Sequence, residues 1–275
     1  MTTPEHDVDL VFDGSVPEFY DRHLVPLIFE PYAADLTARL RDLNPSSVLE
    51  VAAGSGVVTR AMSAGLPPEV SIVASDLNQP MLDYAQKVGT ARPVTWQQAD
   101  VMELPLGDNT FAAVVCQFGV MFFPDRPRAF REIHRVLQPG GTFLFNVWDR
   151  IEQNEFADVV TRAVGELFAD DPPLFLDRTP HGYYDKRIIE ADLAAGGFEA
   201  PAAFEPLEAR SRADSAEIPA IAYCHGTPLR NEIEARDPTR LDEATTAATA
   251  AVAARFGETD LDSLIRAYVV TATKA

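Results

Sequence analysis

Residues 48–59 read Val-Leu-Glu-Val-Ala-Ala-Gly-Ser-Gly-Val-Val-Thr. An apolar run passes straight into Gly-x-Gly and then into helix-forming sequence. Few local folds accept that order. Glycine permits the tight turn and lets another group approach the backbone closely, and the helix start that follows presents backbone amides to a polar ligand. The pattern is the opening of a βαβ unit. Glu50, inside the apolar strand, is costly to bury unpaired. It is therefore read as part of the turn's chemistry, with a structural role as the alternative.

The rhythm set by this unit continues as far as Trp148. Strands are predicted at 48–52, 70–75, 94–98, 112–117 and 142–148, with helices near 57–64, 78–88 and 127–137. Such alternation predicts a parallel sheet covered by helices on both faces, and right-handed crossovers make it doubly wound. Ahead of it, residues 16–43 carry a helical stripe of Ile28, Tyr32, Leu36, Leu40 and Leu43, and residues 1–15 read as a loose tail. Beyond Trp148 the reading is a helix over 152–170, a helix over 185–195 stopped by Gly196 and Gly197, and a strand over 198–207. Two or three helical segments follow within 214–257, and then a β-rich stretch at 265–273. The organisation expected is an N-terminal helical cap (1–43), an α/β core (44–150) and a remainder (151–275) that completes the sheet and carries helical segments at 152–184 and 214–257.

Two further acidic residues fall at predicted strand ends. Asp76 closes the second strand and Asp100 the third. An acid at the first position can accept from both hydroxyls of a ribose, and one at the second from an adenine amine. Open α/β sheets bind ligands where such strand ends converge. The plainer readings are a helix cap for Asp76 and a loop-structuring role for Asp100.

Composition narrows the partners. The formal net charge is −19, which on average repels phosphate backbones and anionic lipids; neither a nucleic acid nor a membrane is expected. Arg126, Arg128, Arg131 and Arg135, interleaved with Glu132, read as a solvated helix face. No apolar stretch is long enough to span a bilayer, and the N-terminus lacks a secretory h-region. Cys116 and Cys224, the two cysteines, lack metal-site spacing. No metal is expected. Cys116 reads as a buried hydrophobe, and lone thiols without a signal predict a cytoplasmic protein.

Four runs together, 50–56, 75–82, 98–125 and 131–145, resemble the class I S-adenosylmethionine (SAM)-dependent methyltransferases, in particular the type 11 subgroup that includes the ubiquinone/menaquinone methyltransferases. The resemblance implies a Rossmann-like, mostly parallel seven-stranded sheet with a helical lid or insertion, SAM as cofactor and methyl transfer to a small-molecule acceptor. It implies that Gly54 and Gly56, with Ala52 in the same motif, form the loop under the methionine part of SAM, and that Glu50 orients the loop or reaches the amino group. Asp76 would bind the ribose and Leu77 pack on the adenine. Asp100 would hold the adenine amine beside the Val101 amide, and Gln117 and Phe118 would lie near the donor methyl, ordinary core or loop roles being their alternative. The motif departs from many members at Ala52 and Ala53, where a cysteine or glycine is common.

Rival readings remain open at this stage. A nucleotide-dependent oxidoreductase would also use a Gly-rich turn, yet Thr59 occupies the place of the third fingerprint glycine. A non-catalytic SAM-binding or partner-binding module, or a SAM-assisted cyclisation, would keep the cofactor. Residues 16–32 suit plain core packing or a lid. The segment 214–257 suits a roof over the acceptor, lined by residues such as Phe168, Phe175, Tyr183, Tyr184, Tyr223 and Leu229, or a contact surface for a homodimer. Were the acceptor a hydroxyl, a histidine base would assist. His225 is the first candidate and His181 the second; His6, His23 and His134 lie in the tail, the cap and a structural helix.

Overall fold

The computed structural model describes residues 16–275; the predicted loose tail, with His6, lies outside them. The chain divides into two compact units.

The first is a sheet unit: Glu30–Val147, Tyr183–Pro206 and Tyr268–Ala275. Its elements in chain order are α1 (Glu30–Leu43), β1 (Ser47–Glu50), α2 (Val57–Gly65), β2 (Ser71–Asp76), α3 (Gln79–Val88), β3 (Thr95–Gln98), β4 (Phe111–Gln117), α4 (Arg126–Val136), β5 (Leu137–Trp148) and α5 (Lys186–Ala195). Two long strands, β6 (Ala203–Ser215) and β7 (Thr259–Thr273), complete a seven-stranded sheet in the order β3-β2-β1-β4-β5-β7-β6. β1 to β5 pair in parallel. β7 runs the other way along β5: Gly140 N donates to the Lys274 carbonyl, whereas Asp149 N donates to the Arg266 carbonyl. The predicted doubly wound, mostly parallel fold is therefore present.

The central apolar strands bury on both faces, as parallel sheets require. Leu49, Val114, Phe143 and Phe145 are sealed on one face and Val48, Val115 and Leu144 on the other. Phe143 stacks on Phe145 at 4.5 Å between ring centroids, and Phe130 of α4 packs on both. His134 on the same helix meets Phe198 edge-on, a packing role.

The second is a helical unit: residues 16–29, Trp148–Gly182 and Leu207–Ala267. It holds helices at Glu155–Leu167 (α6), Glu217–Gly226 (α7), Leu229–Arg236 (α8) and Leu241–Phe256 (α9), so the segment within 214–257 is three helices. Phe156 meets Phe256 edge-on, and the Glu155 carboxylate accepts from Arg255 Nη2 and Leu264 N. No helix among the described residues is long and apolar enough to cross a membrane.

Several expectations are corrected. Residues 16–43 are not one α-helix. Tyr20–Phe29 is π-helical around Pro26, because proline removes a donor and clashes with the carbonyl one turn back. Leu43, assigned to the buried stripe, is 47% exposed. The strand placed at 198–207 starts only at Ala203 and runs to Ser215, because Phe198 is drawn under α4 and Phe143 instead. β7 begins earlier than 265, and β5 earlier than 142, where a bulge between Phe111 and Ala113 takes up the shift. β1 ends at Glu50 because Ala52 turns left-handed, with φ +54°. Tyr184, named as apolar lining, is exposed.

The arginines of α4 are not uniformly solvated either. Arg126 donates to the Val120 and Met121 carbonyls and covers the Tyr183 ring. Arg135 donates to the Leu104 and Leu106 carbonyls, Asp108 and both oxygens of Glu132. It ties the loop before β4 to the helix after it. Bonding to Arg135 holds the Glu132 carboxyl below its usual range. An ammonium reproduces neither the fork nor its reach. Arg135→Lys is expected to lower stability by about 1–3 kcal/mol, read by urea denaturation of the full chain.

Candidate functional site

The site is built at the carboxyl ends of β1, β2, β3 and β4. After Glu50 the chain leaves the sheet, with Val51 N donating to the Val115 carbonyl and Ala53 N to the Ser75 carbonyl. The loop then runs through left-handed backbone at Gly54 (φ +55°) and Gly56 (φ +85°) into α2. A Cβ placed on Gly54 would meet nothing within 4 Å. That glycine is therefore not required by packing; it leaves an open backbone surface.

Asp76 is buried, 7% exposed. Its Oδ2 accepts from Gly54 N at 2.8 Å and its Oδ1 from Asn78 N at 2.8 Å. Burial raises its pKa, and the amide donors pull the other way. The Asn78 side-chain amide also lies 3.5 Å from Oδ1, and the Leu77 amide adds to the donors around the group. A carboxylate has about four acceptor directions, and Oδ2, which takes Gly54 N, keeps room for a ribose hydroxyl. Leu77 beside it is 45% exposed, with its carbonyl held by the Gln98 side chain. Asp100 is half-buried and accepts from Met102 N through Oδ1 at 2.8 Å; it does structure its loop, with Oδ2 left over. Val101 is half-buried next to it.

Glu50 accepts from the Thr59 hydroxyl at 2.5 Å. Burial pushes its pKa up to about 8 and nearby Asp76 adds to this, against the opposing effect of the Thr59 bond and Arg60. The group keeps its proton at neutral pH in this state, and a cation brought beside it would favour ionisation. Cys116 is likewise buried, its thiol pushed up to about 12 by desolvation.

Strand register fixes which side chains face together. Glu50 pairs with Ala74 and with Val115, and Gln117 pairs with Asn146. Side chains two apart on a strand share a face, so Glu50, Asp76, Gln117 and Asn146 project to the same side of adjacent strands. Gln117 is half-buried. Phe118 follows in left-handed backbone (φ +52°) and meets the Tyr32 ring edge-on. Non-glycine residues held left-handed cluster at functional sites, and Ala52 and Phe118 are two of them.

Two residues escaped the sequence reading. Asn146 announced itself only as one amide in an apolar strand. Gly119 gave no signal: a Cβ there would fall 2.6 Å from Ala52 Cβ and 2.7 Å from Cys116 Sγ. Its missing side chain is what admits alanine at 52.

The two candidate bases belong to the helical unit. His181 is buried and its Nδ1 donates to the Asp149 carbonyl at 2.9 Å; burial pushes its pKa down to about 4. His225 is half-buried beside a cavity of about 780 Å³, lined also by Ser215, Glu217, Ile221, Asp242 and Thr249. The Thr245 hydroxyl donates to the Leu241 carbonyl and so accepts from His225 Nε2 at 2.9 Å, which leaves Nδ1 as a proton acceptor. Burial, then Arg230, lowers the His225 pKa. Among the described residues no three His, Cys, Asp or Glu are grouped to hold a metal ion.

Comparison with known proteins agrees with this geometry. The Methyltransferase domain family matches residues 49–145. The ubiquinone/menaquinone biosynthesis C-methyltransferase UbiE of Idiomarina loihiensis is 28% identical over 185 residues, covering 62% of this chain and 72% of the relative. UbiE of Saccharophagus degradans is 36% identical over 165 residues, covering 55% of this chain and 66% of the relative, just under two thirds of its length. The crystal structure of YcgJ from Bacillus subtilis superposes with a TM-score of 0.55 at 19% identity, over 89% of this chain and 98% of that one, a likeness of fold. The chain is a class I SAM-dependent methyltransferase. Within that class it resembles the ubiquinone/menaquinone C-methyltransferases. Its cofactor is SAM, and the open Gly54 backbone, the remaining acceptor capacity of Asp76 and the exposed Leu77 side chain fit that group.

Packing around the motif can be tested directly. Gly119→Ala is expected to destabilise the chain by about 1–3 kcal/mol through overpacking. In an Ala52→Gly background part of that loss should return, leaving the Cys116 contact. Denaturation of the two single variants and the double variant gives the coupling; strict additivity would contradict the contact.

Proposed function

We propose that the chain transfers the methyl group of SAM to a ring carbon of a small hydroxylated acceptor of the quinol class, as the names of its relatives suggest. The observation that carries the reading is the shared face of Glu50, Asp76 and Gln117 at neighbouring strand ends, with the open Gly54 loop between them. SAM supplies an electrophilic methyl on a sulfonium. In this reading the Gly54–Gly56 loop and Ala52 support the methionine part, and Glu50 orients that loop and answers the positive charge as it ionises. Asp76 takes the ribose hydroxyls, Leu77 packs on the base, and Asp100 with the Val101 amide holds the adenine edge. Gln117 and Phe118 border the transferring methyl. The protein's contribution is alignment and exclusion of water.

Acceptor recognition is assigned to the helical segments at 152–184 and 214–257, with 44–150 holding SAM. His225 is the proposed base: it is neutral and carries a proton-accepting Nδ1. His181 is the weaker candidate, since its pKa lies far below neutrality and Nδ1 is committed.

Asp76→Ala should weaken SAM binding by about 1.5–3 kcal/mol, the range for losing charged hydrogen bonds. Calorimetry that finds unchanged affinity in a folded variant removes the ribose assignment. Transfer of label from SAM to a screened acceptor separates an enzyme from a SAM-binding module. On that acceptor, His225→Ala should lose about 10²–10⁴-fold in turnover while SAM affinity stays constant; full activity would mean that the base lies elsewhere or that alignment suffices.

A further inference from the structure

One buried polar side chain of the sheet unit takes part in none of the hydrogen bonds described above. Asn146 lies in the carboxyl half of β5 and is 0% exposed. Among the described residues neither Nδ2 nor Oδ1 has a hydrogen-bond partner. Burying an unpaired amide opposes folding, and native structures leave few such groups. The side chains on either side, Phe145 and Val147, are apolar and fully buried. Leucine has nearly the shape of asparagine without the penalty, so packing alone does not account for this residue.

Its position suggests what does. Asn146 is the register partner of Gln117 and shares a face with Glu50 and Asp76. The strands that carry these four run side by side in the order β2, β1, β4, β5. Adjacent strands are about 4.8 Å apart, so β5 stands roughly 10 Å from β1. Asp76 and Glu50 occupy the cofactor flank of this row and Gln117 its middle. Asn146 occupies the far flank, past the residue assigned to the donor methyl. Its amide both donates and accepts. The group that satisfies both ends is a hydroxyl, or a hydroxyl next to a carbonyl; a carboxylate or an ammonium satisfies one end only.

We infer that Asn146 is a specificity-determining residue that hydrogen-bonds a ring oxygen of the acceptor and so sets which carbon faces the donor methyl. The inference rests on the methyl-transfer function proposed above. Because both amide atoms are sealed from solvent in this conformation, the acceptor reaches them only as the groups covering that face part.

The experiment uses the full chain, SAM labelled in the methyl group, and 1,4-naphthohydroquinone held reduced, as the probe. Asn146→Leu is expected to melt at a higher temperature than the wild type and to bind SAM within twofold of it. It should also lose at least tenfold in kcat/KM for the probe. Asn146→Ser, which keeps one hydrogen-bonding group, should fall between the two and guards against a leucine variant that fails to fold. Methylation of the probe by the wild type with undiminished turnover in the folded leucine variant overturns the role of Asn146 and leaves the proposed function standing. A loss of SAM affinity, or a lower melting temperature in both variants, also overturns it. If the wild type binds SAM but neither binds nor methylates the probe, the quinol reading fails and the inference falls with it.

Discussion

A single carboxylate joins the first two crossover turns of the sheet. Asp76 receives Gly54 N on one oxygen and Asn78 N on the other, so the loop after β1 and the turn after β2 share one anchor. The first of these passes through three left-handed residues, Ala52, Gly54 and Gly56. The anchor holds them because a buried carboxylate accepting backbone amides resists displacement. Ser75 and Ala53 complete the arrangement, with Ser75 Oγ donating to the Glu50 carbonyl and Ala53 N to the Ser75 carbonyl. Glu50 itself is steadied by Thr59 from the next helix. The proposed cofactor cradle is thus a property of the β1–β2 pair more than of any one residue.

The two acids of this cradle are set differently. Asp76 accepts from the amides of Gly54, Leu77 and Asn78, whereas Glu50 has only Thr59 as a donor and much desolvation. The less supported group is the one whose charge state responds most to what is bound nearby, the usual behaviour of buried ionisable pairs. In the proposed reading, a cationic cofactor would meet an aspartate that positions it and a glutamate that adjusts to it.

Much of this was legible in the sequence, for identifiable reasons. The central strands β1, β4 and β5 are buried on both faces, so they appear as apolar runs between turn signals, and Glu50, Asp76 and Asp100 fall at or just beyond strand ends. β6 was misplaced because its exposed positions are polar, with Arg210, Arg212 and Asp214 among them, and a solvated strand leaves little hydropathic trace. The π-helical character of Tyr20–Phe29 left no signal, because the stripe that marked 16–43 as helical begins only at Ile28, at the end of that segment. Arg126 and Arg135 passed for surface charge because no side-chain pattern advertises the backbone carbonyls they reach. Gly119 and Asn146 depend on what lies across space from them. One is small because of Ala52, and the other is polar where its neighbours are not.

Strand order also imposes a schedule on synthesis. β7 follows β6 along the chain but lies between β5 and β6 in the sheet. Until β7 has been made, β5 has no partner on that side and β6 has no place to dock. All three helices α7, α8 and α9 intervene. A nascent chain therefore carries a five-stranded sheet whose open edge is the apolar run Phe143, Leu144, Phe145, the kind of edge that recruits strands from other chains. Early packing of the intervening helices among themselves would bring β7 to β5 sooner and shorten that exposure.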